Sequence, residues 1–202
     1  MSGCAAFYTK MNEKNPLLRV KGKTIYLRYL RAEDAAEFIA LNRTSRGFHR
    51  GLVTPPVDEA GYEKFLSRNE SETNESFLIC QNGDDKIVGS ITLSQIFRGN
   101  FCNAYLGYFL GADFAGKGFM TEAISLTLRY AFKDLKLHRV EANVQPENLA
   151  SIAVLKKNGF TKEGFSRRYL KIDKKWRDHE RWAIIAEDWR KNDSGSNRKT
   201  YQ

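Results

Sequence analysis

Between Thr24 and Leu30 apolar and polar side chains alternate, which is the two-residue period of a half-buried strand. From Asp34 to Asn42 the period lengthens. Ala35, Phe38, Ile39 and Leu41 fall at helical spacing, with acids early in the segment where the helix dipole favours them. A loop over Gly47–Pro56 leads to Asp58–Asn69, a second short helix with Tyr62, Phe65 and Leu66 inward. Ser76–Cys80 reads as a strand, Asn82-Gly83-Asp84-Asp85 as a hairpin turn, and Lys86–Phe97 as a long returning strand. After the turn Arg98-Gly99-Asn100, an aromatic-rich strand is expected over Phe101–Leu110.

The period changes again at Lys117–Leu135. Met120, Ile124, Leu128, Ala131 and Leu135 recur at steps of three and four, predicting a long amphipathic helix. Arg139–Gln145 reads as a strand, and Asn148–Asn158 as a short helix stopped by Asn158-Gly159. Phe160–Ile172 and Lys175–Ala186 close the pattern as two strands joined at Asp173-Lys174. The order β-α-α-β-β-β-α-β-α-β-β predicts an α/β (α+β) fold: a mixed, mostly antiparallel central sheet with helices on both faces. Residues 1–16 read as a flexible N-terminal arm, 17–190 as a single domain, and the polar stretch 191–202 as a disordered tail.

A chain of 202 residues can bury a core without disulfides or metals, and 42% hydrophobic content argues against disorder over most of it. Cys4, Cys80 and Cys102 form an odd, sparse set with no CxxC, against a disulfide scaffold or zinc module. No apolar run reaches the ~18 residues of a membrane span and no signal-peptide core is seen, so a cytoplasmic protein without membrane or metal is expected. Thirty-three Lys and Arg against 24 Asp and Glu give a charge of +9, which suits acidic partners: nucleic acid, a ribosome or a polyphosphate cosubstrate.

Two constellations carry candidate chemistry. In Ala104–Glu122 a strand runs through Gly116-Lys117-Gly118 straight into the long helix. Glycines there leave backbone N–H groups unobstructed, and the helix N-terminus adds partial positive charge, a setting for a pyrophosphate. It is neither a Walker A loop, since Phe119-Met120 follows the second glycine, nor a dinucleotide fingerprint, since a third glycine is missing. As a bare motif it equally describes a structural turn. About 30 residues on, Pro146-Glu147-Asn148-Leu149-Ala150-Ser151 places Asn148 and Ser151 on one face of a first helical turn. Alone, Asn148 reads as a helix cap and Ser151 as a filler.

Together, these segments resemble the GNAT superfamily of acetyl-CoA-dependent N-acetyltransferases. Within it they resemble the RimJ/RimL branch, ribosomal-protein N-terminal acetyltransferases, and its RimJ side most of all. Phe97-Arg98-Gly99, Ala104-Tyr105-Leu106-Gly107-Tyr108, Gly116-Lys117-Gly118, Leu137-His138-Arg139, Pro146-Glu147-Asn148 and Asn158-Gly159-Phe160 carry the likeness. Lys162-Glu163-Gly164-Phe165, Tyr169-Leu170 and Lys175-Trp176-Arg177-Asp178-His179 extend it over roughly 20–190. The resemblance implies acetyl-CoA as cosubstrate, with pyrophosphate on the amides of Ala115, Gly116, Lys117, Gly118, Phe119 and Met120. It places the pantetheine arm on the strand Tyr108-Phe109-Leu110, with an amide near Phe109 polarising the thioester carbonyl, and on Asn148 and Ser151. The family's Arg/Gln before the glycines is Asp113 here, and the tyrosine that many relatives carry seven residues after the Asn is Leu155. Ser151 is therefore the candidate for steadying the departing thiolate.

Glu141 resembles a position where some N-terminal acetyltransferases carry a base; an ordinary strand carboxylate paired with Arg139 is the equal alternative. The turn where RimL-like enzymes have a glutamate holds Phe97-Arg98-Gly99. His138 and His179 are further candidates, each better explained by packing. An α-amine with pKa ~7.7–8.0 costs only ~1–1.4 kcal/mol to neutralise at pH 7, against ~4.6 kcal/mol for a lysine. A site without an evident strong base therefore suits a protein N-terminus, expected to be that of a ribosomal protein beginning with Ala. Acetylation of a small amine (antibiotic, polyamine or amino acid derivative) and a non-catalytic basic ribosome- or RNA-binding module are the alternatives. Lys162–Arg177 holds seven basic residues with Tyr169 and Trp176 among them, a hairpin that could contact ribosomal RNA or stand solvated with Trp176 buried.

Overall fold

The computed structural model describes residues 19–69 and 71–196, the last five by backbone alone. Eight strands form one sheet: β1 (Arg19–Lys21), β2 (Ile25–Tyr29), β3 (Glu75–Gln81), β4 (Ile87–Phe97), β5 (Asn103–Leu110), β6 (Arg139–Val144), β7 (Thr161–Ile172) and β8 (Lys175–Ile185). Their spatial order is β1-β2-β3-β4-β5-β6-β8-β7. Every neighbouring pair is antiparallel except β5 and β6. The helices are α1 (Ala35–Thr44), α2 (Glu59–Arg68), α3 (Phe119–Arg129), α4 (Leu149–Lys157) and α5 (Ala186–Ser196).

Alternation along the strands sends successive side chains to opposite faces, so the sheet builds two cores. Tyr26, Leu78, Cys80 and Ile87 pack with Phe38 and Ile39 of α1 and Tyr62 of α2. On the other face, Leu27, Phe77, Ile79, Ala104 and Leu106 join Ile124 and Leu128 of α3, Leu155 of α4 and Trp189 of α5. Helices thus cover both faces, as the element order predicts. Full burial of each such side chain contributes about 1.5–3 kcal/mol. Glu122 fixes α3 to the start of β2, accepting hydrogen bonds from Lys23 and Thr24.

The structure departs from the sequence reading at four elements. Arg19–Lys21 forms β1 on the edge of the sheet, an eighth strand where the reading has seven, and its three residues are too few to show a period. The helix over 117–135 is α3 followed by a π-helical turn, Tyr130–Asp134, in which Leu135 N–H reaches the Tyr130 carbonyl. Arg46–His49 forms one helical turn inside the expected loop. The final strand stops at Ile185, and α5 runs from Ala186 across the expected domain end at 190 into residues read as tail. Glu187 and Asp188 sit in its first turn, where the dipole favours acids, and Trp189 anchors it against Phe132 at a ring separation of 5.5 Å. One aromatic anchor on a polar helix leaves no period to read. The arm over 1–16 and the tail beyond 196 lie outside the described residues. No helix among the described residues is long and apolar enough to cross a membrane, and none of their His, Cys, Asp and Glu side chains cluster to hold a metal ion.

Candidate active site

The parallel strands β5 and β6 pair only through Asn103↔Arg139, Ala104↔Val140 and Tyr105↔Glu141. β5 then continues along β4 to Leu110, while β6 continues along β8 to Val144. Beyond Tyr105 and Glu141 the two strands part, and the sheet splits. Gly111 N–H donates to the Val88 carbonyl, which sets the alternation of the β4–β5 ladder. Antiparallel ladders alternate bonded and non-bonded pairs. The main-chain groups of Leu106, Tyr108 and Leu110 therefore face the split, and the Phe109 N–H turns toward Ser90 on β4. Of the strand amides near Phe109, those open to the split are therefore the amides of its two neighbours, Tyr108 and Leu110. Phe109 instead packs its ring beside Phe38 and His49.

Tyr108 shares the face of Ala104 and Leu106, toward α3 and α4. Its hydroxyl meets Ser151 Oγ at 2.6 Å. Burial pushes the phenol pKa up to about 12, with the serine hydrogen bond opposing the shift. Asn148 Oδ1 accepts from Ser151 N–H at 3.1 Å, so Asn148 is the cap of α4, and that cap presents Ser151 to the split. Leu155 is fully buried in the core. The phenol that the Asn148 spacing fails to supply thus arrives from β5. Its signal was the strand's parity, which aims residue 108 at the helix carrying Ser151.

The glycine turn leads off the end of β5. Ala115 N–H is taken by the Ala112 carbonyl, removing it from the predicted set of phosphate donors. The N–H groups of Gly116, Lys117, Gly118, Phe119, Met120 and Thr121 have no acceptor among the described residues, and Thr121 is one the sequence reading left out. Gly116 and Gly118 have φ of +76° and +82°, and a Cβ at either would meet nothing within 4 Å. Glycine is needed for backbone conformation, then, and the turn is open to a ligand. Lys86 and Lys117 hold their ammonium groups 5.7 and 5.5 Å from the Phe114 ring, adding positive charge beside it. An uncommitted run of amides, an unobstructed surface and two lysines fit the pyrophosphate of acetyl-CoA.

Glu141 Oε1 accepts from Arg139 Nε at 2.8 Å and from Asn103 Nδ2 at 3.1 Å, at the last paired position before the split. Arg139 also holds Glu163. Glu141 lies on the face opposite Val140 and Ala142, so the structure does not join it to Ser151. His138 is exposed and pairs with Glu187 at 3.3 Å, away from the split. His179 is buried, its Nδ1 bonded to the Arg177 carbonyl at 3.0 Å, and burial lowers its pKa.

A strand pair that parts midway, an open amide turn at a helix N-terminus and a hydroxyl pair at the split together define an acyl-CoA-dependent transferase. Residues 24–161 match the model of the acetyltransferase (GNAT) domain family, and the chain belongs to that family. Its sequence is 42% identical over 177 residues to "Probable N-acetyltransferase YjcK" of Bacillus subtilis, covering 84% of this chain and 98% of that one. It is 41% identical over 106 residues to the ribosomal protein uS5-alanine N-acetyltransferase of Escherichia coli, 52% of this chain and 55% of the relative. Among solved structures it resembles Mycobacterium smegmatis RimJ in complex with CoA-disulfide, with TM-score 0.75 and 31% identity over 81% of this chain and 82% of that one. The protein is a GNAT N-acetyltransferase with acetyl-CoA as cosubstrate.

Proposed function

We propose that the protein transfers acetyl to the N-terminal α-amine of a ribosomal protein beginning with alanine, in the cytoplasm. The observation that carries the reading is the Tyr108–Ser151 pair at the split, in a chain similar to RimJ. The amine nitrogen attacks the thioester carbonyl carbon, a C–N bond forms, the C–S bond breaks, and CoA leaves as thiolate. Ser151 donates a hydrogen bond to that sulfur, with Tyr108 orienting the serine. Amides of Tyr108 and Leu110 hold the pantetheine arm, and those of Gly116–Thr121 the pyrophosphate. Glu141 takes the amine proton through Oε2, which has no partner among the described residues, while Arg139 and Asn103 fix the carboxylate. One such carboxylate is sufficient for an α-amine, which is partly neutral near pH 7.

The β7–β8 hairpin supports a ribosomal partner. Trp176 is 60% exposed, contrary to a buried anchor, and Phe165, Leu170 and Tyr169 also stand outward among the lysines and arginines. Exposed aromatics interleaved with cations suit stacking and phosphate contact with ribosomal RNA.

Intact-mass measurement of ribosomal proteins from cells with and without this protein tests the reading. One protein beginning with alanine should gain a single acetyl group at its N-terminus. Acetylation on internal lysines, or on no ribosomal protein, refutes it. Glu141→Gln should lower turnover mainly below pH 8, where the amine is mostly protonated. Should His179→Asn produce that effect in its place, the base is the histidine.

A further inference from the structure

The guanidinium of Arg139 is divided between two carboxylates. Its Nε donates to Glu141 Oε1 at 2.8 Å, while both Nη groups go to Glu163, Nη1 to Oε1 at 3.0 Å and Nη2 to Oε2. Sheet register brings the three residues together. Glu141 on β6 and Thr161 on β7 both pair with Ala183 of β8, so in that row only a methyl group stands between β6 and β7 on the Glu141 face. The β7 register then shifts between Lys162 and Gly164, and Glu163 is the residue inside that irregularity. A bulge re-aims its side chain, and here the Glu163 carboxylate meets Arg139 across β8.

An arginine fork suits one carboxylate gripped at two points, and Glu163 takes that grip. The upward pull on Arg139 comes first from the Glu163 hydrogen bond, with Glu141 behind it, against the opposing effect of burial. Arg139 in turn holds the Glu163 carboxyl below the usual carboxylate range, and Arg181 on β8 adds to the effect. Glu141 is left with a single arginine nitrogen and the Asn103 amide, both on Oε1. Its Oε2 has no partner among the described residues. Asn103 Oδ1 beside it is sealed from solvent, whereas Glu141 Oε2 is not, and the Glu141 side chain is 15% exposed. Tyr105 on β5, raised by burial and then by the Glu141 charge, and Tyr169 on β7 also face this group.

We infer that Glu163 is a positioning residue for the proton transfer: by occupying the fork of Arg139 it keeps that guanidinium on one oxygen of Glu141 and leaves the other open to the amine proton. The inference rests on the reading of Glu141 as the base and adds the residue that keeps the base open. Without a carboxylate at position 163, the fork turns to its remaining partner, Glu141. Hydrogen bonds on both oxygens favour the ionised form of a carboxylate and weaken it as a proton acceptor.

The test compares the parent with Glu163→Gln, Glu141→Gln and the double variant, reading N-terminal acetylation of an Ala-initial peptide as kcat/KM from pH 6 to 9.5. Glu163→Gln should lower this by about tenfold at pH 7, the scale of one hydrogen bond to a charged group. At pH 9.5, where an α-amine is already neutral, the loss should shrink below about twofold. The KM for acetyl-CoA should stay unchanged. The Arg139–Glu163 pair is partly exposed, 22% and 45% of the two side chains, so the melting temperature should move by only a few degrees. In the Glu141→Gln background the same substitution should cost nothing further, since its effect passes through that carboxylate. Full activity of Glu163→Gln, a loss equal at every pH, or a loss that persists in the double variant overturns the inference while leaving Glu141 as the base. If Glu141→Gln itself turns over like the parent below pH 8, the base reading falls and the inference falls with it. A crystal structure of Glu163→Gln should show Arg139 donating to both Glu141 oxygens; a guanidinium that stays on Oε1 alone refutes the route.

Discussion

Tyr108→Phe removes one hydroxyl and keeps the ring that packs beneath β5, so the loss it causes isolates the contact to Ser151. With the phenol pKa pushed up to about 12, Tyr108 is a poor proton donor to a thiolate, whose acid has an ordinary pKa of ~8.5. Transfer between them is uphill by roughly three to four pH units, or about 5 kcal/mol. On the proposed mechanism Tyr108 therefore keeps its proton and, as a neutral donor, turns the Ser151 O–H toward the sulfur. A neutral hydrogen bond is worth about 1 kcal/mol, so Tyr108→Phe should lower kcat by about fivefold. Ser151→Ala removes the bond to the developing charge itself, about 1.5–3 kcal/mol, and should lower kcat by roughly 10- to 150-fold. The KM for acetyl-CoA should change little in either case, because the sulfur's charge develops only toward the transition state.

The assay is steady-state turnover from pH 6 to 10 with thiol release as readout. Between those limits Tyr108→Phe should lower the profile without changing its shape, since the phenol titrates above the window. The double variant should lose little more than Ser151→Ala alone, because the tyrosine acts through the serine. If Tyr108→Phe instead costs more than about a hundredfold, or if the parent shows an alkaline limb below pH 10 that the variant lacks, Tyr108 is the acid and the positioning role is wrong.

Gly118→Val should weaken acetyl-CoA binding at least tenfold by calorimetry with the fold intact; its Cβ meets no protein atom, but a side chain at φ of +82° costs about 1–2 kcal/mol and rotates the amides out of register. Asp34→Asn should lower stability by about 3–5 kcal/mol in urea titration, since Arg28 and Asp34 form a two-pronged pair at 2.6 and 2.7 Å with about a tenth of each side chain exposed. Tyr26, Tyr108 and Tyr130, each raised from 10.0 to about 12 chiefly by burial, favour the folded state while neutral. Their contribution is complete below pH 10 and lost as pH rises through 12, so the melting temperature should fall across that interval in step with phenolate absorbance.

What the sequence discloses follows the range of the interaction. Thr24–Leu30 and Lys117–Leu135 are legible because each buries one face, and one-sided burial writes its period directly into the order of residues. Helix α5 escapes because, among its described side chains, only Ala186 and Trp189 reach the core and the rest are polar. The glycine turn and the Asn148 cap are local devices, complete within a few residues, and both are readable. The Tyr108–Ser151 contact joins positions 43 apart and exists only because β5 and β6 pair for three residues and then separate. No spacing encodes that.

β5 explains why these parts can belong to one reaction. A strand presents alternate residues to opposite faces, so Tyr108 and Phe109, one peptide unit apart, look into different environments. The Tyr108 face holds the serine hydroxyl; the Phe109 face meets the rings of Phe38 and His49. Between them, main-chain groups of Leu106, Tyr108 and Leu110 face the split. On the proposed reading, a pantetheine arm laid along that edge brings its thioester beside Ser151 and leaves the opposite face for the incoming amine. On that reading strand parity separates the leaving sulfur from the incoming amine. Glu141 lies on the Phe109 face, because it pairs with Tyr105 and Tyr105 shares the parity of Phe109, so on the proposed reading an amine delivered from that side meets its carboxylate.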